Sequence, residues 1–189
     1  VSVVALPGRA DGDLGQQARV LGAAVAAARS RTGAGSVDVV GYSAGGVVAR
    51  LWVTEQGGAS SVRRLVTVGS PHHGTQLASL GSLLEGACPV ACQQLAPGSP
   101  LLSRLDAESL PPGPGYLSLW TTEDDVVLPA TSAVVEGVPS PSVQSICADN
   151  RTRHGDLPAD PVVQRLVAES LGAGPIPTWG PQDCARLSS

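Results

Sequence analysis

Val37-Asp38-Val39-Val40-Gly41-Tyr42-Ser43-Ala44-Gly45-Gly46 runs from a short apolar stretch into a serine that has a glycine at each second neighbour. A run of that length ended by glycine reads as a buried strand. The Gly-x-Ser-x-Gly spacing fits a sharp strand-to-helix turn, on which side chains at Gly41 or Gly45 would be expected to meet backbone. Ser43 then stands at the tip of a strained turn. Because a helix follows, the unpaired amides and dipole of its first turn point at whatever Ser43 attacks.

The pattern continues on both sides. Positions 1–6 form an apolar run closed by Pro7-Gly8 and are expected to be a buried strand. From Asp13, an N-cap candidate, Leu14, Ala18, Leu21 and Val25 recur at three- and four-residue steps, and the helix should stop at Gly33 to Gly35. Positions 37–41 are the next strand and 45–56 the helix behind Ser43, with Val47, Val48, Leu51 and Trp52 turned inward. Strands are further expected at 62–68, 116–121 and 143–147, and an amphipathic helix at 160–171. Between 72 and 115 the chain is rich in Gly, Pro and Ser and should hold only short helices, near 77–84 and 101–105, as a cap over the site. Positions 173–189 read as a Pro-containing tail without periodicity. Near-continuously apolar strands alternating with helices indicate a mostly parallel sheet with helices on both faces, in one domain over 1–172.

Composition narrows the functional classes. The chain has 189 residues, 42% of them apolar, 15% charged, and a net charge of -4. No cluster of arginines could follow a phosphate backbone, so nucleic acid is excluded as an expected partner. No segment approaches the ~20 apolar residues of a membrane-spanning helix. The start Val1-Ser2-Val3 lacks the basic and apolar regions of a signal peptide, and Val1 is not read as the encoded start. With no Phe and no Met, the core must be built from Val, Leu and Ala. Cys88, Cys92, Cys147 and Cys184 lie outside any metal spacing and read as disulfides of an exported protein, with no metal. Four cysteines allow three pairings; a four-residue spacing closes a small loop easily, which leaves Cys147 and Cys184 as the second bridge.

A serine hydroxyl is a poor nucleophile at neutral pH and needs a base within hydrogen-bond reach and a third group to orient that base. The chain has three histidines: His72, His73 and His154. In strand-turn-helix hydrolases the acid and then the histidine follow the serine. Only His154 leaves room for an acid between itself and Ser43. Glu123-Asp124-Asp125 stands just past the 116–121 strand, and Asp124 is preferred to Asp125. His72 and His73 precede any such acid and are expected to shape a loop or pocket wall.

The elbow through Val47-Val48-Ala49-Arg50, Thr67-Val68-Gly69-Ser70-Pro71-His72-His73-Gly74-Thr75, and Cys88-Pro89-Val90-Ala91-Cys92 through Ser99 resemble the secreted lipase/esterase family of actinobacteria related to bacterial class 2 triacylglycerol lipases. Asp124-Asp125-Val126-Val127-Leu128-Pro129 resembles the D-x-V-V-x-P stretch around the acid of many such enzymes, and His154-Gly155-Asp156-Leu157 their histidine loop. The resemblance covers about 1–172. It implies an α/β-hydrolase fold, export, and ester hydrolysis without a cofactor on a small-molecule or lipid ester. Ser43 would be the nucleophile, His154 the base, Asp124 the acid and the Ala44 N–H an oxyanion donor. The expected protein is a monomer in at most transient contact with a lipid interface. Only 34 residues separate Gly8 from Ser43, room for one helix-strand unit where the family has two, so the strand bearing the second oxyanion amide is expected to lie before Val1. Two other readings stand beside ester hydrolysis: a non-catalytic or fragmentary hydrolase-like domain, and an acyltransferase or thioesterase, since one triad serves any acyl-enzyme.

Overall fold

The computed structural model describes residues 1–78 and 88–188. Its sheet has three parallel strands in the order β1 (Val37–Tyr42), β2 (Val62–Val68) and β3 (Gly115–Leu119). Val39 lies beside Leu65, and Leu65 beside Tyr116. Helix α1 (Leu14–Thr32) precedes β1, and α2 (Ala44–Glu55) crosses from β1 to β2. The helices α3 (Val90–Gln94) and α4 (Pro100–Ala107) come before β3; α5 (Val143–Ile146), α6 (Pro161–Ser170) and α7 (Cys184–Leu187) follow it.

Local chemistry sets the helix ends. The Asp13 carboxylate accepts the Gln16 N–H at 2.8 Å, and Gly33, at φ 70°, donates its own N–H to Arg29 O. Leu14, Ala18, Leu21 and Val25 are buried, as their spacing requires. Asp160 caps α6 through Val163 N–H, with Pro161 in the first turn, where its missing donor costs nothing.

Side-chain alternation along the strands divides the core in two. Val39 and Leu65 face α1 and α2, packing with Leu14, Val47, Leu51 and Trp52, and with Leu105 of α4. Val66, Val68, Leu117 and Leu119 face the other way, onto Ile146, Leu157, Leu166 and Leu187. Each fully buried Leu contributes about 1.5–3 kcal/mol from apolar transfer alone. Both faces of β2 and β3 are thus covered. On β1 the second face is more open: Val40 is 47% and Tyr42 38% exposed.

Four expectations need correction or restriction. Residues 1–6 form no strand; they run mostly exposed, and among the described residues the outer edge of β1 is left unpaired. Residues 143–146 form a turn of helix rather than a strand. The Ser142 side chain caps the Ser145 N–H at 3.1 Å, and Val143 and Ile146, three apart, share one buried face. The segment after 173 is structured: α7 buries Leu187 in the second core, and Cys184 is bonded to Cys147, with a Cα separation of 5.1 Å. The helix expected at 77–84 falls largely outside the described residues. Cys88 and Cys92 form the other disulfide. Among the described residues no helix is long and apolar enough to cross a membrane.

Candidate active site

Ser43 sits between β1 and α2 at φ 52° and ψ -131°, a left-handed backbone that costs a residue with a Cβ roughly 1–3 kcal/mol. Its N–H donates to Val68 O at 2.9 Å, fastening the elbow to β2. The glycines that make the turn possible are not quite those the spacing suggested. A Cβ on Gly41 would lie 2.6 Å from Gly46 Cα, and one on Gly46 would lie 2.0 Å from Ser70 Oγ; a Cβ on Gly45 would meet nothing within 4 Å. The close approaches are therefore β1 to α2 at Gly41 and α2 to the end of β2 at Gly46. Ala44 opens α2, so its N–H has no acceptor one turn earlier within the helix.

Beyond β3, Asp124 is buried in a tight turn. Its Oδ1 accepts the N–H groups of Val126 at 2.9 Å and Val127 at 2.7 Å, which leaves Oδ2 to face His154. Burial pushes the Asp124 pKa upward, but the hydrogen bonds from His154, Val127 and Val126 together outweigh it, and the group lies below its ordinary value. Asp125, one residue on, points outward, its carboxylate 3.8 Å from Arg153. The structure brings Asp124, not Asp125, to the histidine.

His154 is 5% exposed and lies on a single 3-10 turn. Three anchors hold that loop. Thr121, two residues past β3, donates its hydroxyl to Thr152 O at 2.7 Å, Leu157 is sealed in the second core, and the Tyr42 hydroxyl donates to His154 O at 2.9 Å. Gly69, at φ 55°, clears space for the imidazole: a Cβ there would lie 2.7 Å from Leu157 and 3.4 Å from the ring. His154 Nδ1 is 2.9 Å from Asp124 Oδ2, and Nε2 is 3.0 Å from Ser43 Oγ. A carboxylate can only accept, so Nδ1 carries the proton and Nε2 offers a lone pair to the Ser43 hydroxyl. Three side chains spread over 111 residues thus form one directed hydrogen-bond chain.

His72 and His73 take no part in it. His72 is buried, with Nε2 3.0 Å from Thr67 Oγ1; that hydroxyl donates to Ser118, which donates to Ala133 O. Burial, reinforced by Arg50 and His73, lowers the His72 pKa to about 3, so it is neutral at any ordinary pH. His73 bridges Asp106 and Val134 O at the surface. Sequence reasoning overlooked Tyr42. Its only sequence signal is its place next to Ser43, since the partner lies 112 residues away.

A family model described as PGAP1-like alpha/beta domain matches residues 4–85. Among solved structures the chain is similar to Aspergillus fumigatus lipase B, with a TM-score of 0.70 at 17% identity over 96% of this chain and 46% of that one. It is also similar to the mature form of Bacillus licheniformis lipase BlEst2, at 0.58 and 20% over 69% and 65%. A third is the product of Listeria innocua gene lin2722, at 0.60 and 16% over 86% and 68%. No curated protein matches the sequence. The chain thus spans less than two thirds of the length of either lipase. At these identities the likeness is one of fold, and it agrees with the parallel sheet and the strand-turn-helix at Ser43: the chain has an α/β-hydrolase-like fold.

Proposed function

We propose that this protein is a carboxylic ester hydrolase of the lipase or esterase kind, acting through Ser43, His154 and Asp124. The observation that carries the reading is the chain Ser43 Oγ to His154 Nε2 at 3.0 Å and His154 Nδ1 to Asp124 Oδ2 at 2.9 Å, with Asp124 held as a carboxylate. As Ser43 Oγ bonds to the acyl carbon, its proton passes to His154 Nε2, and Asp124 stabilises the imidazolium without taking the proton. The carbonyl oxygen, now negative, faces the Ala44 N–H at the positive end of α2. His154 returns the proton to the leaving alcohol as the C–O bond breaks. Water activated by the same imidazole then cleaves the acyl-enzyme, and no metal or organic cofactor enters the sequence.

Exposed Leu77 and Val126, on segments joined by the Thr75 hydroxyl donating to Val126 O at 2.7 Å, offer apolar surface to an acyl chain and support a cap role for 72–115. Two disulfides suit an oxidising compartment and support export. The test is labelling by a fluorophosphonate, which reacts with activated serines, together with p-nitrophenyl ester turnover. The protein should label at Ser43 and turn over, and Ser43→Ala should do neither. An unlabelled Ser43 in folded protein would favour an inert hydrolase-like domain, and transfer to an added alcohol exceeding hydrolysis would favour an acyltransferase.

A further inference from the structure

The strand that delivers the nucleophile also reaches the base. Tyr42 is the last residue of β1, one peptide bond before Ser43, and its side chain leaves the sheet on the face opposite Val39. Its hydroxyl donates to the backbone oxygen of His154 at 2.9 Å, and its ring centroid lies 5.2 Å from the imidazole centroid with the planes tilted by 33°. The imidazole needs such help. It stands on a three-residue turn outside any strand, and its bond to Asp124 holds one side of the ring, at Nδ1.

We propose that Tyr42 is a positioning residue that sets the distance between His154 Nε2 and Ser43 Oγ, by tying the main chain of the base to the strand end that carries the nucleophile. The inference rests on the ester-hydrolase reading above. Tyr42 touches no reacting atom; it acts through His154. Burial raises the Tyr42 pKa, and nearby Asp124, Asp156 and Asp125 raise it further, so the hydroxyl keeps its proton throughout the range in which a serine hydrolase works.

The chain provides its own control. Tyr116, the only other tyrosine, also donates its hydroxyl to a loop carbonyl, Pro111 O at 2.8 Å, and has no bond to the triad. Tyr42→Phe and Tyr116→Phe therefore delete the same kind of bond in two places. A single hydrogen bond converts to about a tenfold change. Tyr42→Phe should lower kcat by about tenfold, leave KM within about twofold, and slow fluorophosphonate labelling of Ser43 by the factor seen in kcat. Tyr116→Phe should keep kcat and labelling while losing a similar amount of thermal stability. A Tyr42→Phe protein that turns over and labels like wild type, or a Tyr116→Phe protein that loses as much kcat, overturns the proposal and leaves the hydrolase reading standing. Wild-type protein that neither labels nor turns over overturns both.

Discussion

Asp124→Asn separates orientation of the base from stability of the fold. Asp124 Oδ1 already accepts two backbone amides at 2.9 and 2.7 Å, and the Asn oxygen would keep both because no other atom of that side chain can accept. The Asn amide nitrogen is then forced toward His154 Nδ1, where the carboxylate now sits at 2.9 Å. Two donors cannot face each other, so the imidazole moves its proton to Nε2 and presents N–H, not a lone pair, to the Ser43 hydroxyl. Loss of the correct tautomer in a triad of this type costs on the order of 10³–10⁴ in kcat, or about 4–5.5 kcal/mol of transition-state stabilisation. Stability should hardly move. The number of hydrogen bonds is kept and a buried charge becomes neutral, so the melting temperature should change by only a few degrees. Asp125→Asn loses only an exposed pairing with Arg153 at 3.8 Å, worth below about 1 kcal/mol, and should keep full activity. Initial rates on a p-nitrophenyl ester and thermal melts of the two variants decide it. Asp124→Asn activity within about tenfold of wild type, or an equal loss in Asp125→Asn, would refute the assignment of the acid.

Two further outcomes follow from the packing. Gly46→Ala places a Cβ 2.0 Å from Ser70 Oγ, 2.8 Å from Ser70 Cβ and 3.0 Å from Thr67 Cβ, and should cost about 1–3 kcal/mol; Gly45→Ala meets open space and should match or exceed wild-type stability through its better helix propensity. Urea midpoints that rank the two the other way would refute the account of the elbow. His72 supplies the pH dependence. Its pKa is about 3 when folded against 6.5 as a free group, so the unfolded chain binds a proton that the folded chain refuses, and stability falls as pH drops from 6.5 toward 3. The slope is about 1.4 kcal/mol per pH unit, or about 2–3 kcal/mol by pH 4.5, whereas the lowered pKa of Asp124 adds its own loss only below its ordinary 3.8. His72→Asn should flatten the urea-derived profile between pH 7 and 4.5 by that amount; parallel profiles would show that His72 titrates normally.

The segment from α1 through β2 was legible because each apolar period there is ended by a residue with one structural use: Asp13 as a cap, Gly33 in the left-handed region, and the Gly41 approach. Asp124, His154 and Ser43 could be picked out by order and neighbours, and the structure brings those three together. What local pattern could not reveal was partnership. The run at 1–6 has strand composition but does not pair with the edge strand β1, and Val143-Gln144-Ser145-Ile146 suits either state until Ser142 supplies a cap. Leu187 and Trp179 sit in a segment without periodicity, and it is tertiary contact, with Trp179 donating to Glu169 at 2.8 Å, that orders them. Tyr42 was missed for the same reason.

The left-handed elbow at Ser43 has a consequence for synthesis. Ser43, Asp124 and His154 leave the ribosome in that order, and domains tend to fold from the N-terminal side as they emerge. A nascent chain that has paired β1 with β2 has the Ser43 amide bonded to Val68, and so can already display its serine at the turn. The hydrogen bond from that hydroxyl to His154 is still unmade, because the loop bearing His154 is anchored by Thr121 and Leu157, residues that arrive later. On the ester-hydrolase reading, Ser43 then lacks its base until the second core has closed around Leu157.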